Sequence, residues 1–92
     1  MGQVRSVKGF VKGRVQGVGF RYFVMRHAQA RNLSGYVRNL DDGRVEFCLH
    51  GDGDSVASVT ENIRVGPSHA RVDELVFEET DQTSLTSGFV IR

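Results

Sequence analysis

Residues 35–50 read Gly-Tyr-Val-Arg-Asn-Leu-Asp-Asp-Gly-Arg-Val-Glu-Phe-Cys-Leu-His, and the predicted fold is arranged around this stretch. Asp41-Asp42-Gly43 is a strong hairpin signal, because glycine tolerates the positive φ that such tight turns require. The runs on either side, Gly35–Leu40 and Arg44–His50, are therefore predicted to be paired strands. In the second strand apolar and polar residues alternate, so that one face carries Val45, Phe47 and Leu49.

Upstream of the hairpin, the chain changes from a strand pattern to a helix pattern. Ser6–Val15 is predicted to be a strand. Its residues alternate between two faces, and one face carries Val7, Val11 and Val15. Arg21–Arg31 is predicted to be a helix, and Asn32 suits the left-handed conformation that often ends one. The residues that recur at helical spacing are Phe20, Phe23, Val24, His27 and Ala28.

Downstream of the hairpin, a second helix is followed by two more strands. Asp52-Gly-Asp-Ser55 offers an N-cap, and Gly66-Pro67 supplies the usual chemistry of a helix end. Ala70–Glu79 and Gly88–Arg92 are predicted strands, separated by the polar, weakly structured run Thr80–Ser87.

The order of these elements predicts the fold class, which is α+β. A βαββαβ order with a central hairpin predicts the ferredoxin-like plan, in which an antiparallel sheet is covered on one face by both helices. The apolar and charged fractions, 39% and 25%, are ordinary for a globular protein, and 92 residues suffice for one core. We therefore expect a single domain over residues 1–92.

Composition also excludes several classes of function. Twelve Lys and Arg against eleven Asp and Glu give a net charge of +1, so no nucleic-acid partner is expected. Cys48 is the only cysteine, which rules out an internal disulfide and a thiolate zinc cluster. The N-terminus carries no signal-peptide pattern and no stretch reaches membrane-spanning length, so a cytoplasmic monomer without membrane contact is expected.

The segment Gly13–Arg21, Gly-Arg-Val-Gln-Gly-Val-Gly-Phe-Arg, lies between the first strand and the first helix. Its glycines at 13, 17 and 19 can expose successive backbone N–H groups, and the loop leads directly into the positive end of a helix. The planar guanidinium of Arg21 matches two phosphoryl oxygens. Because a cation at that helix end is unfavourable on its own, the pattern favours an anion site.

Spacing alone leaves open a plain strand-to-helix turn in which Arg21 is an ordinary surface charge. The loop lacks the terminal Gly-Lys-Ser/Thr of a Walker A sequence. It also lacks the full glycine spacing and the doubly wound context of a dinucleotide fingerprint.

A family resemblance distinguishes these readings. Gly13–Arg21, followed by Gly35–Asn39 and Asp42–Glu46, closely resembles the signature blocks of the acylphosphatase family. Three further blocks follow in the expected order: Gly66-Pro67, Ala70–Val72 and Phe89–Ile91. The ferredoxin-like fold of that family agrees with the pattern above, and Tyr36 stands where many members carry Trp.

The resemblance implies an enzyme that hydrolyses the carboxyl–phosphate bond of small acyl phosphates without a metal or other cofactor. It assigns water positioning to Asn39, although an asparagine before a hairpin often only bonds its own turn. It assigns phosphate binding to Gln16, Gly17, Val18, Gly19, Phe20 and Arg21.

Two other functions remain open from the sequence. An RNA-recognition module has the same βαββαβ order, but its third strand should carry base-stacking aromatics that Arg44–His50 does not match. An acylphosphatase-like domain related to carbamoyl-transferring maturation enzymes is the second. The histidines at 27, 50 and 69 form no metal-ligand spacing and receive no role.

Overall fold

The computed structural model describes residues 3–81 and 88–92, which form five strands and two helices. Residues 82–87, most of the predicted weakly structured run, lie outside the described residues. The elements are, in chain order, β1 (Val4–Arg14), α1 (Phe20–Ala30), β2 (Ser34–Asn39), β3 (Val45–Asp52), α2 (Gly53–Val65), β4 (Arg71–Glu79) and β5 (Phe89–Ile91).

The strands form one sheet in the order β4-β1-β3-β2-β5, which confirms the predicted ferredoxin-like plan. The pairs β1–β3, β1–β4 and β2–β3 are antiparallel. The sheet is nevertheless mixed rather than wholly antiparallel as expected, because β5 runs parallel to β2, with Gly35 opposite Phe89. Strand β4 runs opposite to β2, and the chain reverses direction between β4 and β5. Strand β5 therefore runs in the same direction as β2.

Local sequence signals set the ends of the elements. Between β2 and β3, Gly43 has a φ of 97° and the N–H of Arg44 donates to Oδ1 of Asp42 over 3.0 Å. Asp52 caps α2 by accepting from the N–H of Ser55 at 3.0 Å, as predicted. Asn32, with a φ of 59°, takes the left-handed conformation after α1.

Both helices pack on one face of the sheet. Helix α1 contacts β2 and β5, whereas α2 contacts β1, β3 and β4. The side chains that fill the space between them are those at alternate strand positions, including the predicted Val7, Val11, Val45, Phe47 and Leu49. In the part of the chain that is described, neither helix has the length and apolar character needed to cross a bilayer.

The opposite face of the sheet carries a charged cluster around Glu46, a residue only 3% exposed. Its carboxylate accepts from Nε of Arg38 at 2.6 Å and from the hydroxyl of Tyr36 at 3.2 Å, and lies 3.5 Å from Nζ of Lys8. Burial raises the pKa of the Glu46 carboxyl, but the hydrogen bond and charge of Arg38, with the charge of Lys8, outweigh it and hold that pKa below its ordinary value. Glu46 is therefore ionised and stabilised by its neighbours.

We expect Glu46→Gln to lower the free energy of unfolding by about 1–3 kcal/mol at neutral pH, because charge-assisted hydrogen bonds are lost. A carboxyl whose folded-state pKa is lowered contributes stability above its unfolded-state pKa and loses it as the pH falls through the folded-state pKa. The deficit should therefore shrink in urea titrations carried from about pH 7 to about pH 3. Glu74→Gln, at an exposed position of β4, is the control. A deficit that does not change with pH would contradict this account.

Candidate active site

The loop that joins β1 to α1, residues 15–19, turns the chain through two glycines with positive φ, Gly17 at 75° and Gly19 at 76°. Gly19 is the N-cap residue of α1, and no side chain of the described residues caps the helix there. Within the described chain, the backbone N–H groups of residues 16–19 donate no hydrogen bond. The β1–α1 loop therefore presents free donors at the positive end of a helix, which favours an anion.

Gln16 fixes this loop against the β2–β3 hairpin. Its Nε2 donates to the carbonyl oxygen of Leu40 over 2.9 Å and to that of Arg44 over 3.0 Å. Leu40 directly follows Asn39, the last residue of β2. The side-chain amide of Gln16 thus holds the β1–α1 loop beside Asn39.

A cavity of about 180 Å³ lies where the β1–α1 loop, α1 and the ends of β2 and β5 meet. It brings Arg21 and Asn39 together, although they belong to different elements. Its lining consists of Val15, Gly17, Gly19, Phe20, Arg21, Tyr22, Asn39 and Ile91.

Arg21 is the charged residue of this cavity. It is half-buried in the first turn of α1, and no carboxylate of residues 3–81 or 88–92 forms an ion pair with it. The positive end of the helix and the free N–H groups beside this guanidinium carry partial charges of the same sign. An anion bound in the cavity would relieve that repulsion and take up the donors.

Asn39 contributes an acceptor that nothing in the described chain satisfies. Its Oδ1 is buried and accepts no hydrogen bond from those residues. Leaving a buried acceptor unpaired costs about 1–3 kcal/mol, so such atoms usually have a use. Because Asn39 lines the cavity, a rotation of its side-chain amide would let an O–H donor there, such as water, complete the hydrogen bond.

A larger, more open depression of about 710 Å³ lies beside the hairpin and has a different character. Its basic and acidic side chains neutralise one another, with Arg44 bound to Asp42 at 2.8 Å and Arg71 to Asp73 at 3.0 Å. This balance does not favour an anion. The smaller cavity is the better candidate active site.

The structure brings together most of the predicted site residues. The cavity contains five of the seven: Gly17, Gly19, Phe20, Arg21 and Asn39. Val18 instead packs against the core, and the side chain of Gln16 contacts the hairpin, so only its backbone N–H is available to a ligand. Val15, Tyr22 and Ile91 line the cavity without having been predicted to do so. The position of Tyr22 next to Arg21 was the one sequence signal for them.

The family model of acylphosphatase matches residues 7–91. The chain belongs to the acylphosphatase family. An acylphosphatase of Caldivirga maquilingensis is 44% identical over 93 aligned residues, which cover 100% of this chain and 98% of that protein. One of Chlorobaculum tepidum is 49% identical over 77 residues, covering 84% of each chain. The crystal structure of the Bacillus subtilis acylphosphatase superposes with a TM-score of 0.91 at 37% identity, covering 98% and 99% of the two chains.

These matches confirm that the chain is an enzyme of acylphosphatase type, acting on acyl phosphates. The chain is also similar to part of a larger protein: full-length HypF in its phosphate- and nucleotide-bound form superposes with a TM-score of 0.85 at 27% identity. The acylphosphatase chain corresponds to 12% of HypF.

We expect Gly19→Ala to weaken phosphate binding. Gly19 lines the cavity and an added methyl group meets no atom of the described residues within 4 Å, so it would occupy space in the cavity that a phosphate needs. The positive φ should also lower the stability by about 1–2 kcal/mol. Gly88→Ala is the matched control, since Gly88 has a φ of 89°, lies outside this cavity and likewise has no described atom within 4 Å of an added methyl group. Inorganic phosphate should raise the melting temperature of Gly88→Ala as much as that of the wild type, and that of Gly19→Ala less. Equal shifts in all three would leave Gly19 with a role in the turn alone.

Proposed function

We propose that this acylphosphatase holds the phosphoryl group of its substrate with Arg21 and the N–H groups of the β1–α1 loop, while Asn39 orients the attacking water. The observation that supports this division most directly is that Asn39 and Arg21 line the same cavity. Among the described residues, Oδ1 of Asn39 has no donor and the guanidinium of Arg21 has no carboxylate partner. One group needs a donor and the other an anion, and a water next to a phosphoryl group supplies both.

Phosphoryl binding rests on the charges around the β1–α1 loop. Free N–H groups of residues 16–19 and the fork of Arg21 offer donors to the three non-bridging oxygens. Because this site excludes part of the bulk water, its electrostatic stabilisation exceeds that of the same donors in solution. The charge that spreads over the phosphoryl oxygens in the transition state would be stabilised by the same donors.

In the proposed reaction, the water oxygen forms a bond to phosphorus and the bond from phosphorus to the acyl oxygen breaks. The carboxylate leaves with the bonding electrons, and the water proton passes to an oxygen of the phosphoryl group. A carboxylate is a good leaving group, so positioning and charge stabilisation suffice without a general acid, a protein nucleophile or a metal. The products are a carboxylate and inorganic phosphate.

The structure offers little support for the RNA-binding alternative. Base-stacking aromatics would have to lie on the helix-free face of β3, but Phe47 is buried on the opposite face. Glu46 and Cys48 occupy the helix-free face instead. The higher identity to separate acylphosphatases than to HypF, 44% against 27%, favours the hydrolase over the maturation-enzyme alternative. Cytoplasmic location, a monomeric state and a single domain over residues 1–92 stay predictions.

We expect the purified protein to hydrolyse acetyl phosphate and to leave phenyl phosphate essentially untouched, because a site without an acid or nucleophile depends on a good leaving group. Release of inorganic phosphate after exhaustive chelation measures both reactions. Equal turnover of the two substrates, or loss of acyl phosphate turnover on chelation, would contradict the proposed chemistry.

Substitutions of Arg21 and Asn39 should impair phosphate binding and turnover to different extents. Arg21→Ala should lose at least about a hundredfold in kcat/KM and most of the thermal stabilisation by phosphate, because a charge-assisted contact to the phosphoryl group is removed. Asn39→Ala should lose about a hundredfold or more in kcat yet keep the phosphate shift. Because it deletes an unsatisfied acceptor, its unfolding free energy should not fall.

Arg26→Ala, at an exposed position of the same helix, is the matched control and should resemble the wild type. Kinetics, urea unfolding and phosphate-dependent melting separate the variants. A full phosphate shift in Arg21→Ala, or full turnover in Asn39→Ala, would disprove the proposed division of labour.

A further inference from the structure

We infer that Tyr22 and Ile91 form an apolar rim that selects acyl phosphates with an apolar acyl group over those with a charged one. This inference rests on the proposed function, because it takes the phosphoryl group to lie against the β1–α1 loop and Arg21. The acyl group then lies against the rest of the cavity lining. Apart from Arg21 and Asn39, every side chain in that lining is aliphatic or aromatic.

The apolar lining divides into a floor and a rim. Val15 and Phe20 are each 1% exposed and belong to the protein core. Tyr22 and Ile91 are 57% and 38% exposed, although they line the cavity. Large apolar side chains left exposed beside a binding cavity gain free energy when a ligand covers them. The rim thus has surface to offer an acyl group, whereas the floor does not.

The backbone of both rim residues is held in place before any ligand binds. Tyr22 lies in the first turn of α1, next to Arg21. Ile91 pairs with Val37 of β2, and the next residue, Arg92, donates its N–H to the carbonyl oxygen of Val37 over 2.9 Å. The guanidinium of Arg92 also lies 4.0 Å from the ring centroid of Tyr36. Binding therefore requires no ordering of the backbone there, which keeps the entropic cost of the contact low.

The charge distribution in the cavity also favours an uncharged acyl group. Arg21 is its only charged lining residue among those the structure describes, and the proposed function assigns it to the phosphoryl group. A second negative charge on the acyl group would therefore lose water without gaining a cation. The basic residues Arg44 and Arg71 line the other depression, where Asp42 and Asp73 already neutralise them.

Steady-state kinetics with benzoyl, acetyl and succinyl phosphate test the inference. We expect the wild type to have its highest kcat/KM with benzoyl phosphate and its lowest with succinyl phosphate. Tyr22→Ala and Ile91→Ala should raise the KM for benzoyl phosphate about tenfold, which is the usual effect of a small change in an apolar pocket. The kcat should change little, since contacts with the acyl group are equal in the ground and transition states. The KM for acetyl phosphate should change about twofold or less.

Two controls separate specificity from structure. Tyr22→Phe keeps the ring and should behave like the wild type, and Val65→Ala removes a 71% exposed valine outside the cavity. Phosphate should raise the melting temperature of Tyr22→Ala and Ile91→Ala as it does that of the wild type. Equal KM changes for benzoyl and acetyl phosphate, or a wild-type preference for succinyl phosphate, would overturn the inference and leave the proposed function intact. A wild type that hydrolyses no acyl phosphate would overturn both.

Discussion

The contact on which the site depends is the pair of hydrogen bonds from the amide of Gln16 to the carbonyl oxygens of Leu40 and Arg44. Each of these bonds contributes only about 1 kcal/mol to stability. Their larger effect is geometric, because they fix the β1–α1 loop relative to the end of β2. Without that link, the loop that offers N–H groups to an anion would have no direct side-chain contact with the hairpin that begins after Asn39.

The site itself contains several features that oppose stability. Helix α1 begins without a side-chain cap, two glycines hold positive φ values, and a buried oxygen of Asn39 is left unpaired by the described residues. The stabilising contacts lie elsewhere, in the core between helices and sheet and in the ion pairs of Glu46 on the opposite face. The free energy gained in the core and in these ion pairs thus offsets the unfavourable features of the site, which a bound ligand would in turn stabilise.

The features that could be predicted from the sequence are those that depend on a few neighbouring residues. The turn at Asp42-Gly43, the cap at Asp52 and the left-handed Asn32 each depend on local backbone chemistry, and the structure has all three. Anion binding near Arg21 followed from glycine spacing and helix polarity, whereas the role of Asn39 needed the family resemblance. The parallel pairing of β5, the direction of the Gln16 side chain and the place of Ile91 could not be predicted, because each depends on contacts between distant parts of the chain.

The pairing of β5 with β2 also affects the order in which the molecule is assembled. Residues Phe89–Ile91 are made after the other four strands of the sheet, whereas their partners in β2 are made before β3 and β4. Pairing across such a sequence separation is slow compared with the closing of the β2–β3 hairpin. A nascent chain that ends before Phe89 already contains Arg21, Asn39 and the β1–α1 loop, but it lacks one wall of the cavity. The residues that bind and position the reacting groups are therefore made before β5, the strand that completes the cavity.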